Sequence, residues 1–294
     1  ADLSNLASAA LEAAVRFAGK ALAARHGVPM AELPDGTRRP CRFVVMGMGK
    51  LGAHELNFSS DIDLLYLYET DQGGTAGGER PVPLHPYYAR LCEAVTRLVS
   101  EVTEDGFVFR VDLRLRPEGT RGELVNSLRS AEIYYESWGQ TWERAALIKA
   151  RPVAGDAALG EEFLRAVVPF VDRKYLDFTS IEEIKGMKDR INLAAARSPR
   201  HERDLKLGLG GIREIEFFVQ AHELIYGGKE PSLRLRGTVE ALSALARLGI
   251  VTEGERDRLA EAYTFLRRLE HRIQAYRERQ THALPQKEED LHRL

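Results

Sequence analysis

Cysteine is scarce in this 294-residue chain: Cys41 and Cys92 stand alone, far from C-x-x-C spacing. That argues against a disulfide framework or a zinc ribbon and leaves two free thiols, buried or at the surface, as the expectation. Long apolar runs are missing too, and none approaches the roughly 20 residues of a membrane span. The opening ADLSNLASAALEAAVRFAGKALAARHG has an early acid and alanine-rich amphipathic spacing in place of a basic start and apolar core. It is not a secretory leader, so we expect a cytoplasmic protein with no membrane partner. Nor is there an excess of either charge: 42 Lys and Arg against 44 Asp and Glu leave a formal −2. Affinity for nucleic acid comes largely from neutralising phosphates, so this balance counts against DNA or RNA as a partner. The eight histidines form no HExxH or similar pair, and His54-Glu55 alone is no metal motif.

What is present is ordinary globular composition, 44% apolar and 29% charged, with length enough for two cored domains. Leu6, Ala10, Ala14, Phe17, Ala21 and Leu22 recur at helical spacing over residues 4–25. Residues 42–46 and 61–68 read as buried strands, and 107–115 alternates as a third. There Phe107, Phe109, Val111, Leu113 and Leu115 share one face, and Arg110, Asp112, Arg114 and Arg116 the other. The glycine- and proline-rich segment 72–86 reads as a loop. A helix follows with Tyr87, Leu91, Val95, Leu98 and Val102 as its buried stripe. Residues 122–125 suit a short edge strand, 130–151 one helix, and Gly155-Asp156 a linker. Periodicity of three to four then recurs near 160–172, 180–197, 211–226, 235–248 and 254–280. We therefore expect an α/β catalytic domain over 1–155 and an all-α bundle over 156–294. The Arg/Glu pairs of 254–280 read as a solvated helix face. Because the chain opens almost directly in a helix and stops at LHRL, it reads as a fragment of something longer.

Gly47-Met48-Gly49-Lys50-Leu51-Gly52 satisfies GxGxxG after a strand, and Glu69 lies near where a dinucleotide-binding fold places its ribose acid. Only AHELNFSS separates Gly52 from Asp61, however, too little for a crossover helix and its turn. A Walker loop fails as well, because Leu51 stands where Ser or Thr must follow the lysine. The short gap suits a glycine turn opening a brief helix, followed directly by an acid-x-acid strand. Asp61 and Asp63, two apart, share a face while Ile62 and Leu64 turn inward. With Asp112 on a later strand, this is the pattern of an α+β nucleotidyltransferase fold, a small mixed sheet with helices like the polymerase β palm. Two such carboxylates suit magnesium on a phosphate chain; the third completes a second metal site or takes a proton.

The segments GMGKLGAHELNFSSDIDLLYLYE, GFVFRVDLRLRPEGTRGELVNS, WERAALIKARPVAGD and DLKLGLGGIREIEFFVQAHELIYGG resemble the bacterial glutamine synthetase adenylyltransferase/adenylyl-removing enzymes. The likeness runs over essentially the whole chain, and Asn57-Phe58-Ser59-Ser60 points to the N-terminal, adenylyl-removing half. The resemblance implies Asp61, Asp63 and Asp112 as ligands of Mg2+, two ions in all. It places Gly49, Lys50, Gly52 and Ser60 around nucleotide phosphates. The substrates it implies are inorganic phosphate and an adenylyl group, with ADP or ATP. Glutamine synthetase, the PII signalling protein and a second nucleotidyltransferase domain of the same polypeptide would be partners. Arg114 and Arg116 either reach phosphate or form surface ion pairs. Glu55 and Asn57 have no role that spacing assigns. Lys149 and Arg151 are expected to end a helix. Arg213, Glu214 and Glu216, in a first helical turn with free amides, either close over the nucleotide or mark a hinge. Phosphorolytic removal of AMP from a tyrosine is the expected reaction. Its alternatives are the forward transfer of AMP from ATP and a non-catalytic nucleotide-sensing or PII-binding module.

Overall fold

The computed structural model describes residues 1–174, 182–189, 193, 203–277, 280–285, 287, 289 and 291. Two units pack among themselves: residues 1–56, 61–140 and 149–170 in the first, and 57–60, 141–148 and 171–294 in the second. The expected division after 155 falls within the first unit.

In the first unit, β3 (Phe43–Gly47) and β4 (Ile62–Tyr68) form the antiparallel centre of a mixed sheet. β8 (Arg151–Gly155) adds antiparallel to the free side of β3. Along the other side of β4 run two short parallel partners, β6 (Val111–Asp112) near its start and β7 (Val125–Ser127) near its end. Adjacent antiparallel β3 and β4 rule out the dinucleotide fold, whose strands there are parallel across a helix. Phe43, Val45, Ile62, Leu64, Tyr66 and Tyr68 face a core shared with α1 (Asp2–His26) and α3 (Leu84–Ser100). On the opposite face Gly160, in α6 (Ala157–Val171), lies so close to Met46 and Pro152 that a Cβ there would be 3.1 Å from Met46 Sδ. Tyr135 of α4 (Leu128–Ser137) packs on Phe163 and Phe170 of α6. Covered on both faces, β4 is buried from Leu64 to Tyr68, where alternation gives way to a continuous apolar run.

Several expected elements differ. The buried stripe of α1 is Ala7, Leu11, Ala14 and Ala18; Leu6 and Phe17 are exposed, because the helix packs its small-residue face closely. On α3 the stripe runs through Tyr88, Leu91, Cys92, Val95 and Val99, leaving Leu98 and Val102 exposed. The third strand is cut to Val111–Asp112, with Phe107 and Val108 exposed. Asp112 Oδ1 accepts from the Arg114 amide at 2.9 Å, and that Asx turn ends the strand. Segment 72–86 holds β5 (Gly73–Gly77), which joins β1 (Gly27–Glu32) and β2 (Arg38–Pro40) in a second small sheet. The single helix over 130–151 is two, α4 and α5 (Thr141–Leu147), parted at Trp138-Gly139-Gln140. Gly139 is fixed there because a Cβ would meet the Phe170 ring at 2.5 Å. Gly155-Asp156 is no linker: Gly155 pairs with Val44, and Asp156 caps α6 by accepting from the Leu159 amide at 2.8 Å.

In the second unit, the remaining described helices are residues 182–189, α7 (Ile212–Tyr226), α8 (Thr238–Arg247) and α9 (Glu253–Arg277). Small clusters such as Ile212, Ile215 and Tyr263, or Val219, Ala241 and Leu242, join the last three. Half of the expected helix 180–197, and residues 278–279 of that at 254–280, lie outside the described residues.

Candidate functional site

The three acids come together through strand register. Asp63 lies directly beside Asp112 in the parallel β4–β6 pair, and Asp61 precedes β4 by one residue. Ile62 and Leu64 are fully buried between them, so Asp61 and Asp63 emerge on one face. Each outer acid meets an arginine. Asp61 Oδ1 accepts from Arg110 Nε at 2.6 Å, and both oxygens of Asp112 accept from Arg114 Nε at 3.0 and 2.9 Å. That contact with Arg114 outweighs partial burial and holds the Asp112 carboxyl below the usual range. Arg114 in turn is held charged first by Asp112 and then by the fields of Asp63 and Asp61, so all three acids act on one guanidinium.

The glycine turn approaches these acids from β3. Met48 donates its amide to the Asp63 carbonyl at 2.9 Å, which aligns α2 (Gly49–Gly52) beside β4. Gly49 sits at φ 51°, and a Cβ there would lie 2.7 Å from Asp63 Oδ2. No other residue type fits both demands. Gly52 answers to packing, since its Cβ would stand 1.8 Å from the Lys149 carbonyl. The brief helix ends in a Schellman arrangement: Glu55 donates to the Lys50 carbonyl at 2.8 Å and His54 to that of Leu51 at 3.2 Å. His54 supplies the left-handed residue at φ 58°, a backbone cap in place of a metal ligand.

Lys149 and Arg151 do not end a helix. Arg151 opens β8 opposite Gly47, and its Nε donates to the Gly52 carbonyl and its Nη2 to the Leu51 carbonyl, each at 3.1 Å, capping α2 from outside. Lys149 is buried, with Nζ 3.7 Å from Glu55 Oε2. Arg116 donates to the carbonyls of Leu113 at 2.8 Å and Gly122 at 3.2 Å, stapling the turn after β6. Of the two arginines proposed for phosphate, Arg114 is the one with an exposed side chain, at 74%.

Two predicted segments lie in the second unit. Ser60 is buried and its amide closes a turn on the Asn57 carbonyl at 3.4 Å. The first turn of α7 has no free amides. Ile212 and Arg213 donate to the carbonyls of Leu205 and Lys206 at 2.9 and 3.0 Å, and Glu214 to that of Gly211 at 3.1 Å. The glycine loop folds back over its own helix, fixed by Glu214 Oε2 on the Gly210 amide at 2.7 Å. Arg213 is exposed, whereas Glu216 is buried and accepts from the Tyr263 hydroxyl at 3.3 Å. Glu270 stands outside the residues that spacing singles out. It lies among the 254–280 pairs taken for a solvated face, yet its side chain is fully buried beside Arg267 and His282. Arg267, Glu270, His271 and Gln274 share a helix face by spacing, but being polar they carry no apolar stripe that would mark Glu270 as buried.

Magnesium favours hard oxygen ligands, and three carboxylates aligned beside a glycine that leaves Asp63 Oδ2 room match it in donor type. As they stand, the carboxylates of Asp61 and Asp112 are turned to arginine. Among the described residues no group of three or more His, Cys, Asp and Glu is placed to hold a metal ion. The acids suit the ion in donor type alone, with Arg110 and Arg114 as the groups it would have to displace from Asp61 and Asp112. Among the described residues no helix is long and apolar enough to cross a membrane.

Residues 1–166 match the family model described as glutamate-ammonia ligase adenylyltransferase, and residues 182–294 that described as GlnD PII-uridylyltransferase. Several curated relatives carry the name bifunctional glutamine synthetase adenylyltransferase/adenylyl-removing enzyme. That of Xanthomonas campestris pv. campestris (strain B100) is 48% identical over 294 residues, covering 100% of this chain and 31% of the relative. That of Thioalkalivibrio sulfidiphilus (strain HL-EbGR7) is 47% identical, over 100% of this chain and 30% of the relative. The Bradyrhizobium diazoefficiens protein is 43% identical, over 99% and 29%. The chain thus spans less than a third of the length of these relatives. With more than half its residues matching one family model and its full length aligned to named relatives, the chain belongs to the glutamate-ammonia ligase adenylyltransferase family.

Proposed function

We propose that this chain removes AMP from an adenylylated tyrosine of glutamine synthetase by phosphorolysis, on a palm-like nucleotidyltransferase site. The observation that carries the reading is the register of Asp63 on Asp112 with Asp61 alongside, behind a glycine turn that leaves Asp63 uncrowded. An oxygen of inorganic phosphate attacks the adenylyl phosphorus, the bond to the tyrosine oxygen breaks, ADP leaves, and the proton of the attacking phosphate passes to the phenolate. Asp61, Asp63 and Asp112 would hold magnesium, which when bound supplies neutralisation of the phosphate charges. Gly49 lets the backbone approach the adenylyl phosphate, with Lys50 beside it, and Arg114 turns from Asp112 to the incoming phosphate. Positioning and electrostatics dominate, as in other phosphoryl-type transfers.

The forward reaction, AMP transfer from ATP, uses the same acids, and the family description itself names an adenylyltransferase. The ELNFSSDIDL wording of the motif supports removal. The match of residues 182–294 to GlnD PII-uridylyltransferase supports the PII signalling protein as a partner. The excess length of the relatives supports a second nucleotidyltransferase domain in the same polypeptide. Asp61→Asn, Asp63→Asn and Asp112→Asn are each expected to cut turnover by at least ~10²-fold with the fold unchanged by circular dichroism. Near-normal activity in Asp63→Asn would sink the assignment.

A further inference from the structure

We propose that Glu270 is a positioning residue of the nucleotidyl-transfer site, acting through Asn57 on the segment that leads into Asp61; this rests on the catalytic reading of Asp61 and Asp63. Residues 57–60, between the glycine turn and the acids in sequence, belong to the second unit. One helix face, Arg267, Glu270, His271 and Gln274 of α9, supplies their partners. The Asn57 Nδ2 donates to Glu270 Oε2, the Phe58 amide to His271 Nδ1 at 3.4 Å, and the Ser59 amide to Gln274 Oε1 at 3.4 Å. Glu270 and Gln274 are fully buried and Asn57 nearly so.

A fully buried carboxylate is a costly way to hold a loop. Glu270 is offset by one cation, Arg267 Nη1 at 2.7 Å, and by the His282 ring, whose Nδ1 lies 2.8 Å from Oε1. Gln274 is braced in its turn by donating to the Thr281 carbonyl at 3.3 Å. A buried apolar side chain of similar volume would serve stability as well. What the carboxylate adds is direction, because it fixes the Asn57 amide at the head of a segment whose next two residues His271 and Gln274 hold. Catalytic groups misplaced by about 1 Å lose roughly 10²-fold in rate, so a loop set this way governs turnover more than substrate affinity.

The test compares Asn57→Ala, Glu270→Gln and the double variant with Asp63→Asn, using the full chain, adenylylated glutamine synthetase, magnesium and inorganic phosphate. Asn57→Ala leaves Glu270 with Arg267 and His282 and keeps the test valid if Glu270→Gln folds poorly. We expect kcat to fall roughly 10- to 100-fold in each single variant, with KM for the adenylylated protein within about twofold. The double variant should be no slower than the slower single one, as for one coupled pair. Hydrogen exchange of the 57–60 amides should quicken in Asn57→Ala. Wild-type kcat in Asn57→Ala, or losses that multiply in the double variant, with Asp63→Asn inactive, would overturn this inference and leave the catalytic reading standing. An active Asp63→Asn would overturn the catalytic reading, and this inference with it.

Discussion

Two glycines of opposite circumstance show how finely single positions are set. A Cβ on Gly52 would stand 1.8 Å from the Lys149 carbonyl, whereas one on Gly19, within α1, meets nothing within 4 Å. Gly52→Ala should destabilise by about 1–3 kcal/mol, a fall of several degrees in the melting temperature. Gly19→Ala should stabilise by about 0.5–1 kcal/mol through helix propensity. Thermal melts check both, and a Gly52→Ala protein as stable as the parent would contradict the packing described. Asp61, Asp63 and Asp112 were legible in the sequence because strand periodicity and a short glycine turn leave few places for paired acids to go. Glu270 was not, because its burial depends on a loop more than two hundred residues earlier. Arg151, too, gave no sign of its role, since capping α2 depends on the pairing of β8 with β3.

Elements are tied by a polar network at the far end of the central strands. Glu69, just past β4, meets Arg42 at 2.8 Å and also Arg39, and Arg42 reaches Glu162 on α6 at 2.8 Å. The residue that spacing matched to a ribose acid is thus a structural anchor. Burial alone would raise the Glu69 carboxyl, but hydrogen bonds from Arg42 and Arg39 outweigh it and hold it below its ordinary 4.5. Glu162 is lowered in the same direction, first by Arg42. With folded-state values depressed, the pairing is fully present above the ordinary carboxylate range and is lost as pH falls through the folded values. Glu69→Gln should therefore be less stable than the parent near pH 7, with the gap closing below about pH 4.5. Melts across that range check it, and a gap constant with pH would contradict it. The main strands were readable because β3 is apolar throughout and β4 is apolar from Leu64 onward. The glycine-rich β5 carries no such pattern and forms because glycines let backbones meet: a Cβ at Gly73 would lie 2.2 Å from the Met30 carbonyl. The third strand is shorter than its alternation, which continues past the Asx turn that ends it.

At the scale of the whole molecule, the division into units cuts across sequence order, with 57–60 and 141–148 packing with the C-terminal part. Composition gave two domains, but no local pattern marks short segments exchanged between them, because such exchange depends on tertiary contacts alone. The proposed reaction belongs to this scale, since it joins the acids of one unit to a protein substrate. The most direct test is nucleotide release from adenylylated glutamine synthetase incubated with the chain and magnesium, with and without inorganic phosphate, resolved by chromatography. The account predicts ADP that appears only when phosphate is present. No release from the modified protein, together with AMP incorporated from ATP into the unmodified one, would contradict it.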